Sequence, residues 1–346
     1  MDTIRHAIVG CGGIGPFHST AIAEIPNSVL AYACDIIPER ADALAAKIDG
    51  CQAVYDLDAL LARNDVDLVH VCTPSGMHAE QAIAVLEAGK NVITEKPMDV
   101  TTAACDKLIA VAEASSGKAT CIFQNRFLNL TEKVKQAVDK GLLGKLTMGD
   151  AYIKWFRTQA YYDSGDWRAT WELDGGGCLM NQGVHYVDLL QWYMGPVQSV
   201  YAICDTLAHD IAVEDVAAAV LRFKNGAIGV VEGTTAAAPG LDWRIELHGD
   251  QGSVTIKNGN IEHWRFLDKE LDNNPPEDET AKLKAAGADP KDIPAQAHTR
   301  QITLMCEAIR NNGDVPIPVR EARNAVEIVT AIYESNRTGQ LVTLES

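Results

Sequence analysis

The sequence predicts an α/β protein: a doubly wound parallel sheet in its first half, then an α+β domain built on a large open, mainly antiparallel sheet. Three observations carry this. Strand-length apolar runs alternate with helical patterns from residue 4 to residue 123. A glycine-rich turn follows the first of these runs at once. Beyond residue 145 the alternation gives way to closely spaced strand candidates at 198–208, 214–223, 227–235, 242–248, 252–257 and 260–267. Asn225-Gly226 and Asn258-Gly259 sit between such runs, where hairpin turns need residues that tolerate positive φ. The change of pattern places a boundary near residue 124, giving domains 1–124 and 125–346.

Composition narrows the function. A net charge of −17 argues against a nucleic-acid partner and requires any phosphate site to carry its own local positive groups. Part of the acidity is local, in a polar stretch at 268–296 that contains Pro275 and Pro276 and reads as a long solvated excursion. The cysteines number nine, an odd count without the paired spacing of a metal or redox motif, so no metal site is expected. Cys34 and Cys72 fall at apolar strand positions, as free thiols do in a reducing compartment. No apolar run approaches the ~20 residues of a membrane helix. The chain opens on a strand and a glycine turn rather than a charged and apolar leader, so a cytoplasmic location is expected.

Residues 4–9 form the first strand, and Gly10, Gly12 and Gly15 follow in G-x-G-x-x-G spacing, with Gly13 and Ile14 between them. A helix over 16–24 comes next. Glycines here let the chain turn tightly and bring backbone close to a pyrophosphate at the helix N-terminus. The strand at 29–34 ends at Asp35, twenty residues after Gly15, where a carboxylate meets the ribose hydroxyls. An acid there favours NAD over NADP. Arg40, nearby on the following helix, would soften that preference if it turned inward, although a solvent-facing position suits it better.

The strand at 65–72 runs into Thr73, Pro74, Ser75 and His78, and a helix covers 79–88. The strand at 91–94 runs into Glu95, Lys96 and Pro97. A helix over 102–115 and a strand over 120–123 complete the alternation. Ligands of such sheets bind at the carboxyl ends of the strands, so both loops belong to the cofactor site. A lysine before a proline is usually just surface, but this one lies beside the expected nicotinamide.

In the second half a helix over 131–140 precedes a strand over 145–156. Arg157, Tyr162 and Arg168 then lie in an aromatic and basic loop suited to stacking on sugar rings and to binding phosphate or carboxylate. The alternative is a packed lid whose arginines pair with Asp163, Asp166 or Glu172. Gly175, Gly176 and Gly177 lead into a helix to residue 194, and in the blander of two readings Asp174 only caps its N-terminus. Asn181 and His185 are i,i+4 neighbours and Asp188 is three further on, so one face carries an amide, an imidazole and a carboxylate. This is either one wall of a site or a buried histidine satisfied by its own helix. Helices over 297–312 and 319–337 close the chain.

The glycine loop, Thr73-Pro74-Ser75, Glu95-Lys96-Pro97 and the segment 175–188, in this order, resemble the glucose–fructose oxidoreductase / inositol dehydrogenase / MocA family over essentially the whole chain. The resemblance implies a Rossmann domain binding NAD, with Gln124 and Glu95 among the cofactor residues. It also implies a sugar or nucleotide-sugar substrate, and Lys96 and His185 as the catalytic pair. His298 is placed near the substrate, with the last helices returning to the first domain. Arg157, Tyr162, Arg168 and Asn181 would line the substrate, and the open sheet would form a homodimer or homotetramer. Many members carry Asp four residues before the catalytic histidine, where this chain has Asn181. An amide stabilises an imidazolium less than a carboxylate does, unless Asp188 substitutes. The Asn-Gln-Gly-Val-His form resembles members that oxidise the ring C3 hydroxyl of a UDP-linked N-acetylaminosugar acid. A free sugar or cyclitol is the near alternative. The same fold also serves glycosidases that use NAD transiently, and non-catalytic dinucleotide sensors.

Overall fold

The computed structural model describes residues 3–276 and 295–345. Residues 277–294, most of the acidic stretch, lie outside this description. The chain divides into two units, Met1–Gln124 with Ala295–Arg323, and Asn125–Pro294 with Asn324–Ser346.

In the first unit β1 (Ile4–Val9), α1 (Gly15–Ala23), β2 (Ser28–Cys34) and α2 (Pro38–Ala45) follow the predicted alternation. Next come β3 (Gln52–Val54), α3 (Leu57–Leu61), β4 (Leu68–Val71), α4 (His78–Glu87), β5 (Asn91–Thr94), α5 (Thr102–Ala114) and β6 (Ala119–Cys121). All neighbouring strands run parallel, in the order β3-β2-β1-β4-β5-β6. Every residue of β4 is buried, as expected of a strand covered on both faces. Sequence reading passes over β3 and α3, which are too short to show a period. Asp56 nevertheless caps α3, accepting from Ala59 N at 2.9 Å.

The helix α10 (Ala295–Asn311) belongs to this unit, and Ile302, Met305 and Cys306 pack with Ile4, Leu68, Ile93 and Ile122. Its place is fixed by the sheet edge, whose backbone groups lack a strand partner. The Gln301 amide accepts from Phe123 N at 3.1 Å and donates to Cys121 O at 2.8 Å, beside the outermost strand. The Thr120 hydroxyl donates to Ile317 O at 2.7 Å.

The second unit holds α6 (Asn129–Asp139), β7 (Leu146–Lys154), α7 (Gln159–Tyr162), α8 (Val184–Met194), β8 (Val197–Asp205), β9 (Val216–Phe223) and β10 (Ile228–Thr234). It continues through β11 (Trp243–Gly249), β12 (Gly252–Lys257), β13 (Asn260–Phe266) and α9 (Lys269–Asp272) to β14 (Val342–Thr343). The division between the units falls within α11 (Val319–Thr338). The strands form one sheet in the order β13-β12-β11-β7-β10-β9-β8-β14, antiparallel except where β10 pairs with β7. Both Asn-Gly pairs make the expected hairpins, and Asn258 (φ 49°) and Gly259 (φ 77°) take the positive φ values of a tight turn. Burial alternates along β9, so one face is covered and the other is not. Tyr201, Ile203, Val220 and Ile228 lie exposed on the uncovered side.

The covered face carries α8. Gly149 on β7 permits the close approach, because a Cβ there would stand 2.5 Å from Met194 Sδ. A buried ion pair anchors the helix from the other direction. Arg126 donates from Nε to Asp188 Oδ2 at 2.7 Å and from a terminal nitrogen to Oδ1 at 2.6 Å. Such a pair adds little over an apolar one, but losing one partner strands a buried charge. Asp188→Ala is therefore expected to cost about 3–5 kcal/mol in denaturant unfolding. Combining it with Arg126→Met should recover most of the loss; equal destabilisation of the single and double variants would refute this account of the pair.

Candidate active site

In the first unit the glycines divide into two kinds. Gly10 has φ +93°, and a Cβ there would meet Cys72 C at 2.6 Å and Thr73 N at 2.8 Å. Gly15 lies equally close to the loop, a Cβ falling 2.3 Å from Gly10 O. These two let strand, turn and helix approach. At Gly12 and Gly13 a Cβ would meet nothing within 4 Å, so their missing side chains leave space open above the loop. Ile14, the next residue, packs with the cluster of Ile8, Ile22 and Leu44. Asp35 at the end of β2 ties the loop down, accepting from Cys11 N at 2.8 Å and from Ile37 N at 2.9 Å. Arg40 is exposed on α2.

The other two strand ends are joined by His78. Its Nε2 lies 2.8 Å from Thr73 O and its Nδ1 lies 2.7 Å from Pro97 O, so both ring nitrogens face backbone of the two loops. The Thr73 hydroxyl donates to Gln81, Pro74 flanks the turn, and Ser75 is buried. Asp99, which sequence reading misses, accepts from Ala79 N, Val100 N and Thr101 N. Burial raises its carboxyl above the usual range against these donors.

Glu95 is buried, and its Oε2 accepts from the Lys96 backbone N–H at 3.1 Å. Its Oε1 lies 2.8 Å from His18 Nε2 and 3.6 Å from His298 Nε2. Burial alone would raise this carboxyl, but the hydrogen bonds from His18 and His298 outweigh it and hold the group well below the usual range. Lys96 itself is half-buried, and Gln124 is buried just beyond β6. His298 thus packs on Glu95 and against the Phe17 ring, within the first unit.

In the second unit the glycine turn leads into a π-turn over Cys178–Gly183 and only then into α8, rather than one regular helix. Glu214, also missed from sequence, holds this irregular backbone. It accepts from Gly177 N at 2.8 Å, Leu179 N at 2.9 Å and Tyr333 Oη at 2.8 Å. Burial raises its carboxyl above the usual range in spite of these donors. The turn cannot be other than glycine, since a Cβ at Gly177 would fall 1.9 Å from Glu214 O. Asp174 does not serve as the N-cap of the blander reading. It accepts from Ala169 N and from the Asn181 amide, drawing Asn181 toward the preceding loop. His185 stands half-buried in the first turn of α8. Asp188 takes the Arg126 guanidinium on both oxygens.

The aromatic and basic loop is packed by stacking, and Asp163, Asp166 and Glu172 do not supply the contacts seen. Arg168 lies over Tyr161 and Trp167, 4.4 and 4.5 Å from the ring centroids, and donates to Tyr161 Oη at 2.9 Å. Arg157 is buried over Trp155 and Tyr161. Tyr162 Oη lies 2.6 Å from Thr235 Oγ1, and burial pushes its phenol well up.

The residues of the first unit suit a dinucleotide: open space over Gly12 and Gly13, a helix start beneath it, and a buried carboxylate at the end of the next strand. Two kinds of glycine predict two kinds of variant. Gly12→Val should fold with unchanged melting temperature yet lose NAD binding in calorimetry, whereas Gly10→Ala should lower the melting temperature first. Full NAD affinity in Gly12→Val would contradict the placement of the pyrophosphate.

Comparison with known proteins agrees with this geometry. Residues 4–123 match the family model described as an oxidoreductase family with an NAD-binding Rossmann fold, and residues 131–255 match the GFO/IDH/MocA C-terminal domain. Myo-inositol 2-dehydrogenase of Thermotoga maritima is 28% identical over 271 residues, covering 74% of this chain and 75% of that protein. The WlbA dehydrogenase from Bordetella pertussis, solved with NADH and UDP-GlcNAcA, is 33% identical, with a TM-score of 0.90 over 99% of this chain and 98% of its own. The WlbA enzyme of Chromobacterium violaceum, solved with the same ligands, is 33% identical, with a TM-score of 0.87 over 99% and 96%. Among the described residues no helix is long and apolar enough to cross a membrane. The chain belongs to the glucose–fructose oxidoreductase / inositol dehydrogenase / MocA family of NAD-dependent oxidoreductases acting on sugar hydroxyl groups.

Proposed function

We propose that this enzyme oxidises a secondary hydroxyl of a nucleotide sugar bearing an acidic group, with UDP-GlcNAcA as the model substrate. The observation that carries the reading is Asn181, hydrogen-bonded to Asp174 and four residues before His185, where the family resemblance implies an aspartate in many members. The identity to both WlbA enzymes supports it. A free sugar or cyclitol is the second reading, favoured by the inositol dehydrogenase relative.

Hydride leaves the carbinol carbon as the hydroxyl proton is removed, so the reaction needs a base and a donor for the developing carbonyl oxygen. His185 is the base, and Lys96 steadies the oxygen and would hold the nicotinamide ribose. Gly12, Gly13, Asp35 and the strand-end loops would hold NAD, which when bound would supply the hydride acceptor, while His78 acts by fixing those loops. Arg157 and Arg168 supply positive charge to an anionic substrate in a chain of net charge −17, their planes already oriented by aromatic rings. Tyr162, tied to Thr235, supports that loop. The exposed apolar side of the second sheet, with Tyr201, Ile203, Val220 and Ile228, is the surface through which copies would form a homodimer or homotetramer.

The test is nicotinamide absorbance on mixing enzyme and NAD with UDP-GlcNAcA, aldoses and inositols. Reduction with UDP-GlcNAcA, lost in His185→Ala, is expected; reduction only with an inositol or aldose overturns the nucleotide-sugar assignment. Lys96→Ala is expected to lower turnover about 100-fold or more, and full activity in that variant would remove Lys96 from the chemistry.

A further inference from the structure

Three histidines lie in the core of the first unit, where apolar side chains would pack without polar partners. His6 sits between Ile4 and Ile8 on one face of β1, and His70 sits between Leu68 and Cys72 on the same face of β4. Both rings are completely buried, as is His18 on α1. A satisfied polar network in such a place does no better than an apolar core, so the fold alone does not call for it.

The rings form a continuous line. His18 Nε2 lies 2.8 Å from Glu95 Oε1, and His18 Nδ1 lies 2.9 Å from His70 Nδ1. His70 Nε2 lies 2.9 Å from His6 Nδ1. His6 Nε2 lies 3.8 Å from Cys306 Sγ, which lies 3.9 Å from the half-buried Ser28 Oγ. One end of the line is the carboxylate that holds the Lys96 backbone, and the other end is at the surface. We propose that His18, His70 and His6 form a proton relay joining the Glu95–Lys96 end of the parallel sheet to solvent at Ser28, by way of the Cys306 thiol. The relay deepens the dehydrogenase reading and rests on it: each hydroxyl oxidised releases one proton along with the hydride.

The ring chemistry permits this without any ring turning during a transfer. Burial, with smaller effects from Arg310 and His18, lowers His6 to about 3. Burial, with His6 and His18 beside it, holds His70 well below its ordinary value, so both rings are neutral and carry one N–H each. At rest the ionised Glu95 only accepts, which makes His18 a donor from Nε2. An outward transfer starts with the proton on Glu95 and one N–H each on His18 Nδ1, His70 Nε2 and His6 Nε2. Glu95 Oε1 gives its proton to His18 Nε2, His18 gives its Nδ1 proton to His70 Nδ1, and His70 gives its Nε2 proton to His6 Nδ1. His6 gives its Nε2 proton to the Cys306 sulfur, and the thiol releases its own proton through Ser28 to water. Afterwards His70 and His6 carry their protons on Nδ1, Cys306 is again a thiol, and one proton has crossed with no electrons moved. The reverse shift delivers a proton to Glu95.

The experiment uses the NAD-loaded protein with 15N-labelled histidine and measures turnover and solvent exchange of the ring N–H protons by NMR, in wild type, His6→Gln, Cys306→Val and His18→Gln. Glutamine keeps hydrogen bonds at position 6 but does not pass a proton on as imidazole does, and Cys306→Val closes the outlet should His6→Gln fail to fold. The relay predicts that exchange at His70 and His18 slows at least several-fold in either variant. It also predicts that turnover with UDP-GlcNAcA falls about tenfold, with KM unchanged and a larger solvent isotope effect. Exchange and turnover equal to wild type in both variants overturn the relay. So does a loss confined to His18→Gln, which marks a role in positioning Glu95 alone. If no alcohol reduces NAD, the dehydrogenase reading fails while the exchange rates still decide the relay.

Discussion

Irregular backbone at functional loops leaves N–H groups with no ladder or helix to receive them, and in this chain buried carboxylates receive them. Asp35 holds the glycine loop through Cys11 N, and Asp99 holds the start of α4 and the chain beyond Pro97. Glu214 holds the glycine turn before α8. Asp215 gathers Leu207 N, Ala208 N, His209 N and the His209 ring, and His209 reaches on to Arg157 O. A carboxylate suits this work because its two oxygens accept from several donors at once and bind each more strongly than a neutral acceptor would. The cost is desolvation, visible as the raised carboxyls of Asp99 and Glu214. Where enough N–H groups converge the balance reverses: burial would raise Asp215, but backbone donors and His209 hold it low.

Glu95 departs from that pattern in a way that bears on chemistry. It spends one oxygen on backbone, as the others do, and the other on two imidazoles. Backbone donors fix a charge in place, whereas imidazoles exchange protons with it. The carboxylate beside Lys96 thus has two imidazole partners where Asp215 has one, and its low pKa makes the ionised form its resting state.

Much of this was legible in the sequence, and the rest was not for identifiable reasons. The glycine loop, Asp35 and the strand ends declare themselves because their spacing is local and set by backbone geometry. Gly177 announces a turn, but nothing nearby reveals that Glu214, 37 positions away, holds it. Arg126 and Asp188 are 62 apart, so the helical spacing that set Asp188 beside His185 gave no hint of a stronger partner. A π-turn of six residues shows too little of a period to be told from an α-helix, and the expected i,i+4 face was drawn on the wrong geometry. His6 and His70 read as exceptions within apolar strands. Only the register, which sets His6 opposite Leu68 and Ile8 opposite His70, shows that the two exceptions meet.

The exchange of Asp for Asn at position 181 has a structural counterpart. Asn181 gives an amide proton to Asp174, so a carboxylate remains in the neighbourhood of the helix start, one hydrogen bond further back. An amide that donates to an anion becomes more negative at its own oxygen, since hydrogen bonds in series polarise one another. Asn181 therefore presents a stronger acceptor than an amide in water, but one without a net charge. An imidazolium formed at His185 gains less from it than from an adjacent carboxylate, because a dipole's field falls more steeply than a charge's. If His185 is the base, as proposed, the proton it takes is held less tightly and leaves more readily. For the acidic nucleotide sugar proposed as substrate this would matter twice, since a substrate that brings its own negative charge would be repelled more by an aspartate at that position than by asparagine.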